Sequence, residues 1–195
     1  HLDLIRAWTE VAAVHPDATL LVVGDGPCRA ELERAVAEAG LTRSVQFLGS
    51  RTDVCEILQG VDGVVSASVD EALPTALIEA AACGVPIVAA DAGGTREIVL
   101  DGVTGRLVPL RDVPALTEAL LEVMGDPVRA AGYGRAARAL AEQTYAMPAW
   151  ANQLRGLYRE VIDAPSRRRR GHRRRTVPAV RTPRNARPEA CRSSA

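Results

Sequence analysis

Residues 63–89 read Gly63-Val64-Val65-Ser66-Ala67-Ser68-Val69-Asp70-Glu71-Ala72-Leu73-Pro74-Thr75-Ala76-Leu77-Ile78-Glu79-Ala80-Ala81-Ala82-Cys83-Gly84-Val85-Pro86-Ile87-Val88-Ala89. The runs Gly63–Ser66 and Val85–Ala89 are short and apolar without alternation, the pattern of strands buried on both faces. Between them a helix is expected from about Pro74 to Cys83. Pro74 or Thr75 opens it, because proline suits a first helical position, and Gly84 ends it. Ala80, Ala81, Ala82 and Gly84 are small, which lets helix and sheet approach closely. Strand, helix and strand in this order form a βαβ unit with parallel strands.

The alternation continues outward. Upstream stand a helix over Leu2–Val14, a strand over Leu20–Val23, the turn Gly24-Asp25-Gly26-Pro27 and a helix from about Cys28 to Ala39. A strand over Val45–Gly49 and a helix from about Thr52 to Gln59 follow. Downstream, a short strand is expected at Gly105–Val108, then helices at about Val113–Met124, Pro127–Gln143 and Pro148–Ile162. The class is α/β: a Rossmann-like, doubly wound parallel sheet with a helical C-terminal extension. The last helix carries Trp150 and Tyr158, which are expected to pack on the sheet.

A helix normally follows a strand in such a unit, so Leu2–Val14 implies a strand lost before His1. In the order 3-2-1-4-5-6 the first strand is central, flanked here by Leu20–Val23 and Gly63–Ser66. Those two strands are expected either to close up or to leave a gap or take a partner. The isolated domain is then marginal and aggregation-prone, because buried strand edges are exposed. With no initial Met and no signal-peptide pattern, the chain reads as a piece of something longer.

Composition limits the alternatives. The chain has 195 residues, 47% apolar but only 3% aromatic, so Ala, Val and Leu must build the core. No apolar run approaches the roughly 18 residues of a membrane span. Cys28, Cys55, Cys83 and Cys191 are widely spaced without a CxxC pair, which argues against a zinc knuckle or a disulfide framework and leaves buried, reduced thiols as the expectation. The zero net charge hides an asymmetry. Residues 1–166 carry 13 Arg against 23 acids, and residues 167–195 carry 11 Arg against Glu189 alone, with no Lys anywhere. The expected organisation is a globular domain over residues 1–163 and a disordered basic tail over 164–195. The tail has three readings: phosphate contacts to nucleic acid, contact with an anionic membrane surface, or a non-native end.

Ligands of open α/β sheets bind outside the carboxyl ends of the strands. Four loops reach that edge: Gly24–Pro27, Gly49–Asp53, Ala67–Pro74 and Asp91–Thr95. Gly24-Asp25-Gly26-Pro27 is not a GxGxxG fingerprint, which speaks against a nicotinamide cofactor. Glu71 lies just before the helix opened at Pro74 or Thr75, whose free N–H groups can hold a phosphate. Glu79 lies one turn inside, four residues after Thr75 on the same face. A carboxylate accepts two donors, so Glu79 can take both hydroxyls of a ribose. The plainer reading stands beside this one, since an acid in a first turn commonly only complements the helix dipole.

Glu71 and Glu79 form an E-x7-E pair that resembles the motif of retaining group-1 (GT4-like) glycosyltransferases of the GT-B fold. Val22–Pro27 resembles that family's VG-D/E-GP turn, Val45–Gly49 its V-x-F-L-G strand and Gly84–Val88 its G-x-P-V-V segment. Gly93-Gly94-Thr95-Arg96-Glu97-Ile98-Val99-Leu100-Asp101-Gly102-Val103-Thr104-Gly105 resembles its G-G-x-x-E-x-V-x-D-G-x-x-G block. The resemblance covers about residues 2–160 and implies the donor-binding, carboxyl-terminal half of such an enzyme. It implies that Glu79 binds the nucleotide ribose and that Glu71, the catalytic candidate, faces the donor sugar or its diphosphate. Amides of about Leu73, Pro74 and Thr75 would hold the diphosphate. Gly49, Ser50 and Arg51 would border the nucleobase, with Gly24 and Gly26 lining the same crevice. The donor would be a UDP- or GDP-linked sugar, with no bound metal or cofactor, in keeping with the absence of an Asp-x-Asp pair.

The family's basic Arg–Lys pair, which neutralises the leaving diphosphate, has no counterpart before Leu2, and its amino-terminal acceptor domain is absent. Negligible transfer is therefore expected from this chain alone. The missing half would be supplied in cis or in trans, and the acceptor is a saccharide, a lipid-linked sugar or a small molecule. The expected location is cytoplasmic, or peripheral to the inner membrane face. The alternatives are a non-catalytic nucleotide-sugar-binding module and an Arg-tail nucleic-acid-binding protein, the latter opposed by the −10 balance of the globular part.

Overall fold

Strand β4 (Ile87–Ala90) is buried at all four positions. In this computed structural model, which describes residues 1–163, β4 runs between two parallel neighbours, β3 (Val64–Ser66) and β5 (Gly105–Val108). Its side chains point alternately to two faces, and both faces are apolar. Val88 belongs to one core, with Leu4, Ile5, Trp8 and Val11 of α1 (Leu2–Val14) and Leu116 and Leu120 of α5 (Val113–Gly125). Ile87 and Ala89 belong to the other, with Leu77, Ala80 and Ala81 of α4 (Thr75–Cys83) and Ala137 and Ala141 of α6 (Pro127–Thr144). Helices on both faces of a parallel sheet make the fold doubly wound.

A second ladder joins β1 (Leu20–Val23) to β2 (Val45–Gly49) in parallel, from Leu20↔Val45 to Val23↔Gly49, with a register shift between Val22 and Val23. Among the described residues no ladder joins β1 to β3. Of the two arrangements expected for these strands, closing up does not occur. Leu20 and Val45 of the smaller sheet share one core with Val88 and Val108 of the larger, under α1 and α5. This common packing fixes the sheets where they are. Helix α2 (Arg29–Glu38) buries Leu32 and Val36 against the same core.

The strands and most helices run where the apolar patterning puts them. Two elements differ locally, for physical reasons. Helix α4 opens at Thr75, one of the two residues expected for its start. Pro74 is its N-cap, with φ −75° and ψ 88°, outside the helical region. Helix α3 (Val54–Gln59) starts after Asp53, whose carboxylate is engaged by Arg51. Gly93–Glu97 forms a 3₁₀ turn where a plain loop was expected. Helix α4 ends as expected at Gly84, which has φ +75°. The Gly84 amide donates to the Ala81 carbonyl at 2.9 Å and the Val85 amide to that of Ala80 at 3.0 Å, a pattern that favours glycine. Ala80 and Ala81 are buried as packing residues, whereas Ala82 is exposed.

The turn entering β5 depends on one carboxylate. Asp101 Oδ1 accepts from the Leu107 amide and from Arg106 Nε, each at 3.0 Å. The Leu107 amide, more than the Arg106 guanidinium, holds the Asp101 carboxyl below the usual carboxylate range. Asp101→Ala should destabilise the domain by about 1 kcal/mol at neutral pH. Because the folded-state value is depressed, this contribution is present above the ordinary carboxylate pKa and is lost as pH falls toward the folded value. Urea titrations at pH 7 and pH 3 check this: the gap between wild type and variant should shrink at the lower pH.

Helix α7 (Met147–Asp163) buries none of its residues. Trp150 is 52% exposed, so it does not pack on the sheet, and Tyr158 is 59% exposed. Both sheet faces are already covered, by α1 and α5 on one side and α4 and α6 on the other. By contact the chain divides into a unit over His1–Asn152 and another beginning at Gln153, which takes the rest of α7. The readings made for residues 164–195, the tail among them, lie outside the described residues. No cysteine described is fully buried: Cys55 is exposed, and Cys28 and Cys83 are half-buried. Nor are all three reduced, since Cys28 is disulfide-bonded. The expectation of buried thiols fails because each sits on a helix flank or at a helix end rather than on a core face.

Candidate functional site

The loops at the carboxyl ends of the strands are stitched in pairs. After β1 and β2, the Gly24 amide donates to the Gly49 carbonyl at 2.8 Å. Both glycines have positive φ, +122° and +65°, so the crossing exploits freedom that other residues lack. This brings Gly24 and Gly26 beside Gly49, Ser50 and Arg51, with Gly49 half-buried and the other four exposed. Asp25 Oδ1 accepts from the Gly26 amide at 2.8 Å and shapes the turn.

After β3 and β4, the Gly94 amide donates to the Glu71 carbonyl at 3.1 Å. The approach is close enough that a Cβ at Gly93 would overlap the Glu71 carbonyl, and one at Gly94 would overlap that of Ala72. The Gly-Gly dipeptide is therefore the seat on which the acidic loop rests. Its sequence signal was the dipeptide itself, but its contact with residue 71 is visible only in three dimensions. Glu71 is half-buried.

Helix α4 leads away from this loop. The Leu77 amide turns back to the Pro74 carbonyl at 3.0 Å. Of the amides expected to form an anion cradle, Pro74 has none to offer, since proline lacks an N–H. The donors at the tip are thus Leu73, Thr75 and Ala76, and the last two, as the first helical residues, have no intrahelical partner. Pro74 is buried and holds the chain's entry, while Leu73 and Thr75 are exposed. Glu79 is exposed one turn inside, in the same i, i+4 series as Thr75.

Guanidinium groups along this edge are paired with carboxylates. Arg51 forks onto Asp53 at 2.8 and 2.5 Å, and this hydrogen bonding holds the Asp53 carboxyl below its usual range. Arg29 donates from Nε to Glu33 at 2.8 Å, lies 3.7 Å from Asp25 and stands over the Phe47 ring. Arg96 pairs with Asp91. Arg29 and Arg96 were not singled out from the sequence, because only the fold carries them to the loops. A hollow of about 560 Å³ lies elsewhere, lined by Glu10, Thr117 and Glu118 of α1 and α5. Glu71 and Glu79 line neither it nor the small hollow bordered by Ala67, Ala90 and Val108; they stand on the open edge.

This arrangement can do three things chemically. An exposed helix tip with free amides attracts an anion. A carboxylate one turn deeper accepts hydrogen bonds from neutral hydroxyls. A second carboxylate, on a residue whose backbone rests on the glycine pair, comes just before the tip.

Comparison with known proteins bears on what occupies such an edge. A family model described as "Glycosyl transferases group 1" matches residues 1–126. The GDP-mannose-dependent alpha-(1-6)-phosphatidylinositol monomannoside mannosyltransferase of Mycolicibacterium smegmatis is 36% identical over 162 residues, 78% of this chain and 41% of that protein. Glycogen synthase of Mycobacterium tuberculosis is 33% identical, over 70% of this chain and 33% of its own length. The chain thus spans about two fifths or less of these relatives. Among solved structures, the Anabaena protein HepE in complex with UDP and glucose superposes with TM-score 0.71 at 26% identity, over 81% of this chain and 44% of that one. The C-terminal domain of a glycosyl transferase group 1 protein (LpcC) from Francisella tularensis superposes with TM-score 0.68 at 27% identity, over 75% of this chain and 79% of that domain. The α/β unit is a Rossmann-like half of a GT-B fold, and the chain belongs to the group 1 glycosyl transferase family.

Proposed function

We propose that residues 1–163 are the donor-binding half of a retaining glycosyltransferase that moves a sugar from a UDP- or GDP-linked donor to an acceptor. The observation that carries this reading is the sequence of groups along one edge: Glu71 seated on Gly93-Gly94, the α4 tip with the Thr75 and Ala76 amides, and Glu79 one turn deeper. A diphosphate matches the tip by charge, and a ribose diol matches Glu79 by hydrogen-bond count. Glu71 then stands beside the donor sugar as the catalytic candidate. Gly49, Ser50 and Arg51 face the base, with Gly24 and Gly26 behind them. Support for a nucleotide sugar comes from relatives: HepE is described with UDP and glucose, and the mycobacterial enzyme is GDP-mannose-dependent. The half that binds the acceptor is supplied by another part of the protein or by a partner. Among the described residues no helix is long and apolar enough to cross a membrane.

Calorimetric titration with UDP and with GDP tests this reading. One of them should bind, and Glu79→Ala should weaken it about 10- to 100-fold, the loss of one or two hydrogen bonds to a charged acceptor. Unchanged affinity in the variant would remove Glu79 from the site, and binding of neither nucleotide would overturn the reading.

A further inference from the structure

Helix α6 packs along α4 and ends at the turn that seats Glu71. Gly134, Ala137, Ala141 and Tyr145 recur at three- and four-residue spacing, so they share one face of α6. Ala137 and Ala141 belong to one apolar cluster with Leu77 and Ala80 of α4, and Tyr145, half-buried, packs against that cluster. At one end of this face a Cβ on Gly134 would overlap the carbonyl oxygen of Gly84, the residue that ends α4. At the other end the Tyr145 hydroxyl donates to the Glu97 carbonyl at 3.1 Å, across 48 positions of sequence. The two lengths agree. At about 1.5 Å per residue, Gly134 to Tyr145 covers about 16 Å of α6, and Gly84 back to Thr75 covers about 14 Å of α4.

Glu97 closes the 3₁₀ turn that begins with the Gly93-Gly94 pair. The Tyr145 hydroxyl therefore joins the seat of Glu71 to the helix packed along α4. Its own backbone is anchored, since the Tyr145 amide donates to the Ala141 carbonyl at 2.8 Å as α6 ends. Burial, and then the Glu97 charge, pushes the Tyr145 hydroxyl above its ordinary range, so it stays protonated and donates at neutral pH. In the same turn Arg96 pairs with Asp91, but the Arg96 side chain is exposed, and an exposed ion pair holds little.

We propose that Tyr145 is a positioning residue of the donor site, one that fixes the seat of Glu71 against α4 and acts through the glycine turn rather than on the ligand. Its effect on binding rests on the nucleotide reading above. Helix α4 carries the anion-binding tip and Glu79, whereas Glu71 comes from a loop. The two carboxylates keep their spacing only as well as the loop's seat keeps its place beside the helix. Without the Tyr145 hydroxyl the turn retains its shape, because the Thr95 amide donates to the Ala92 carbonyl at 2.9 Å and the Ile98 amide to that of Thr95 at 3.0 Å. It is then free to shift as a body, and the bond from the Gly94 amide to the Glu71 carbonyl passes that shift to the acidic loop.

Tyr145→Phe removes the hydroxyl and keeps the ring. In the full chain, hydrogen exchange at the Gly94 amide should quicken about five-fold, the effect of losing one ordinary hydrogen bond, while the Val88 and Ala89 amides of β4 keep their rates. Kd for whichever of UDP and GDP binds should rise about five-fold. That rise should vanish in a Gly94→Ala background, where the seat is already displaced, because both changes act on one contact. Equal quickening at Gly94, Val88 and Ala89 would mean general destabilisation and would overturn the proposal. So would an unchanged rate at Gly94, or an effect on Kd that survives in full beside Gly94→Ala. Faster exchange at Gly94 with unchanged Kd would overturn the positioning role. If the unaltered chain binds neither UDP nor GDP, the nucleotide reading fails, while exchange at Gly94 still decides whether Tyr145 holds the seat.

Discussion

Gly94→Ala should reduce affinity for UDP or GDP about 100-fold or more, a larger loss than removing the Glu79 carboxylate. The new Cβ would stand on the Ala72 carbonyl, and backbone atoms cannot yield as a flexible side chain can. Relief requires the loop over residues 70–73 to retreat. That retreat breaks the bond from the Gly94 amide to the Glu71 carbonyl and carries Glu71 and the α4 tip out of place together. A displacement of about 1 Å in groups that position a ligand can cost about 100-fold. The stability cost is smaller, about 1–3 kcal/mol, because the strain can be released at an exposed edge. Titration calorimetry and thermal melting on the same preparation separate the two effects. Gly125→Ala is the control, since nothing stands within 4 Å of a Cβ there. Nucleotide affinity near wild type in Gly94→Ala would show that the glycine seat does not position the site.

Gly134→Ala should destabilise the whole domain. Gly134 is buried in α6, on the face that carries Ala137 and Ala141 against α4. Its Cβ would overlap the carbonyl oxygen of Gly84, whose own φ of +75° is tied to the end of α4. Alanine gains about 1 kcal/mol over glycine in helix propensity, which works against the expected loss. Overpacking against backbone exceeds that gain, and a net loss of about 2–3 kcal/mol follows. Melting should shift down by about 5–10 °C for a domain of this size. Gly132→Ala, in the same helix with only the tip of Arg135 nearby, should be neutral or stabilising. An unchanged Tm in Gly134→Ala would mean that α6 can lift from α4 without cost.

Much of this molecule is legible along the chain because its strands are buried on both faces. A run such as Leu20–Val23 or Val85–Ala89 has no polar side to confuse the period, and a helix of different period follows each. Gly84 as a helix end was readable for a local reason: only glycine takes its φ cheaply. Pro74 left the helix start open between itself and Thr75, because proline is compatible both with the first helical position and with the residue before it, and the choice depends on how the loop over residues 67–73 enters. Trp150 misleads for another reason. An apolar face on a helix says that something is to be covered, not which surface is available.

Residue order by itself determined the α/β alternation, the parallel strands, the acidic pair eight residues apart and the glycines at the strand ends, because each is a matter of local period or local conformational freedom. Tertiary structure alone decided that Gly94 seats Glu71, that Gly24 binds Gly49 and that β1 stays apart from β3. Those contacts join residues at least 20 positions apart, and their partners are chosen by packing on shared cores rather than by any pattern within a stretch of chain.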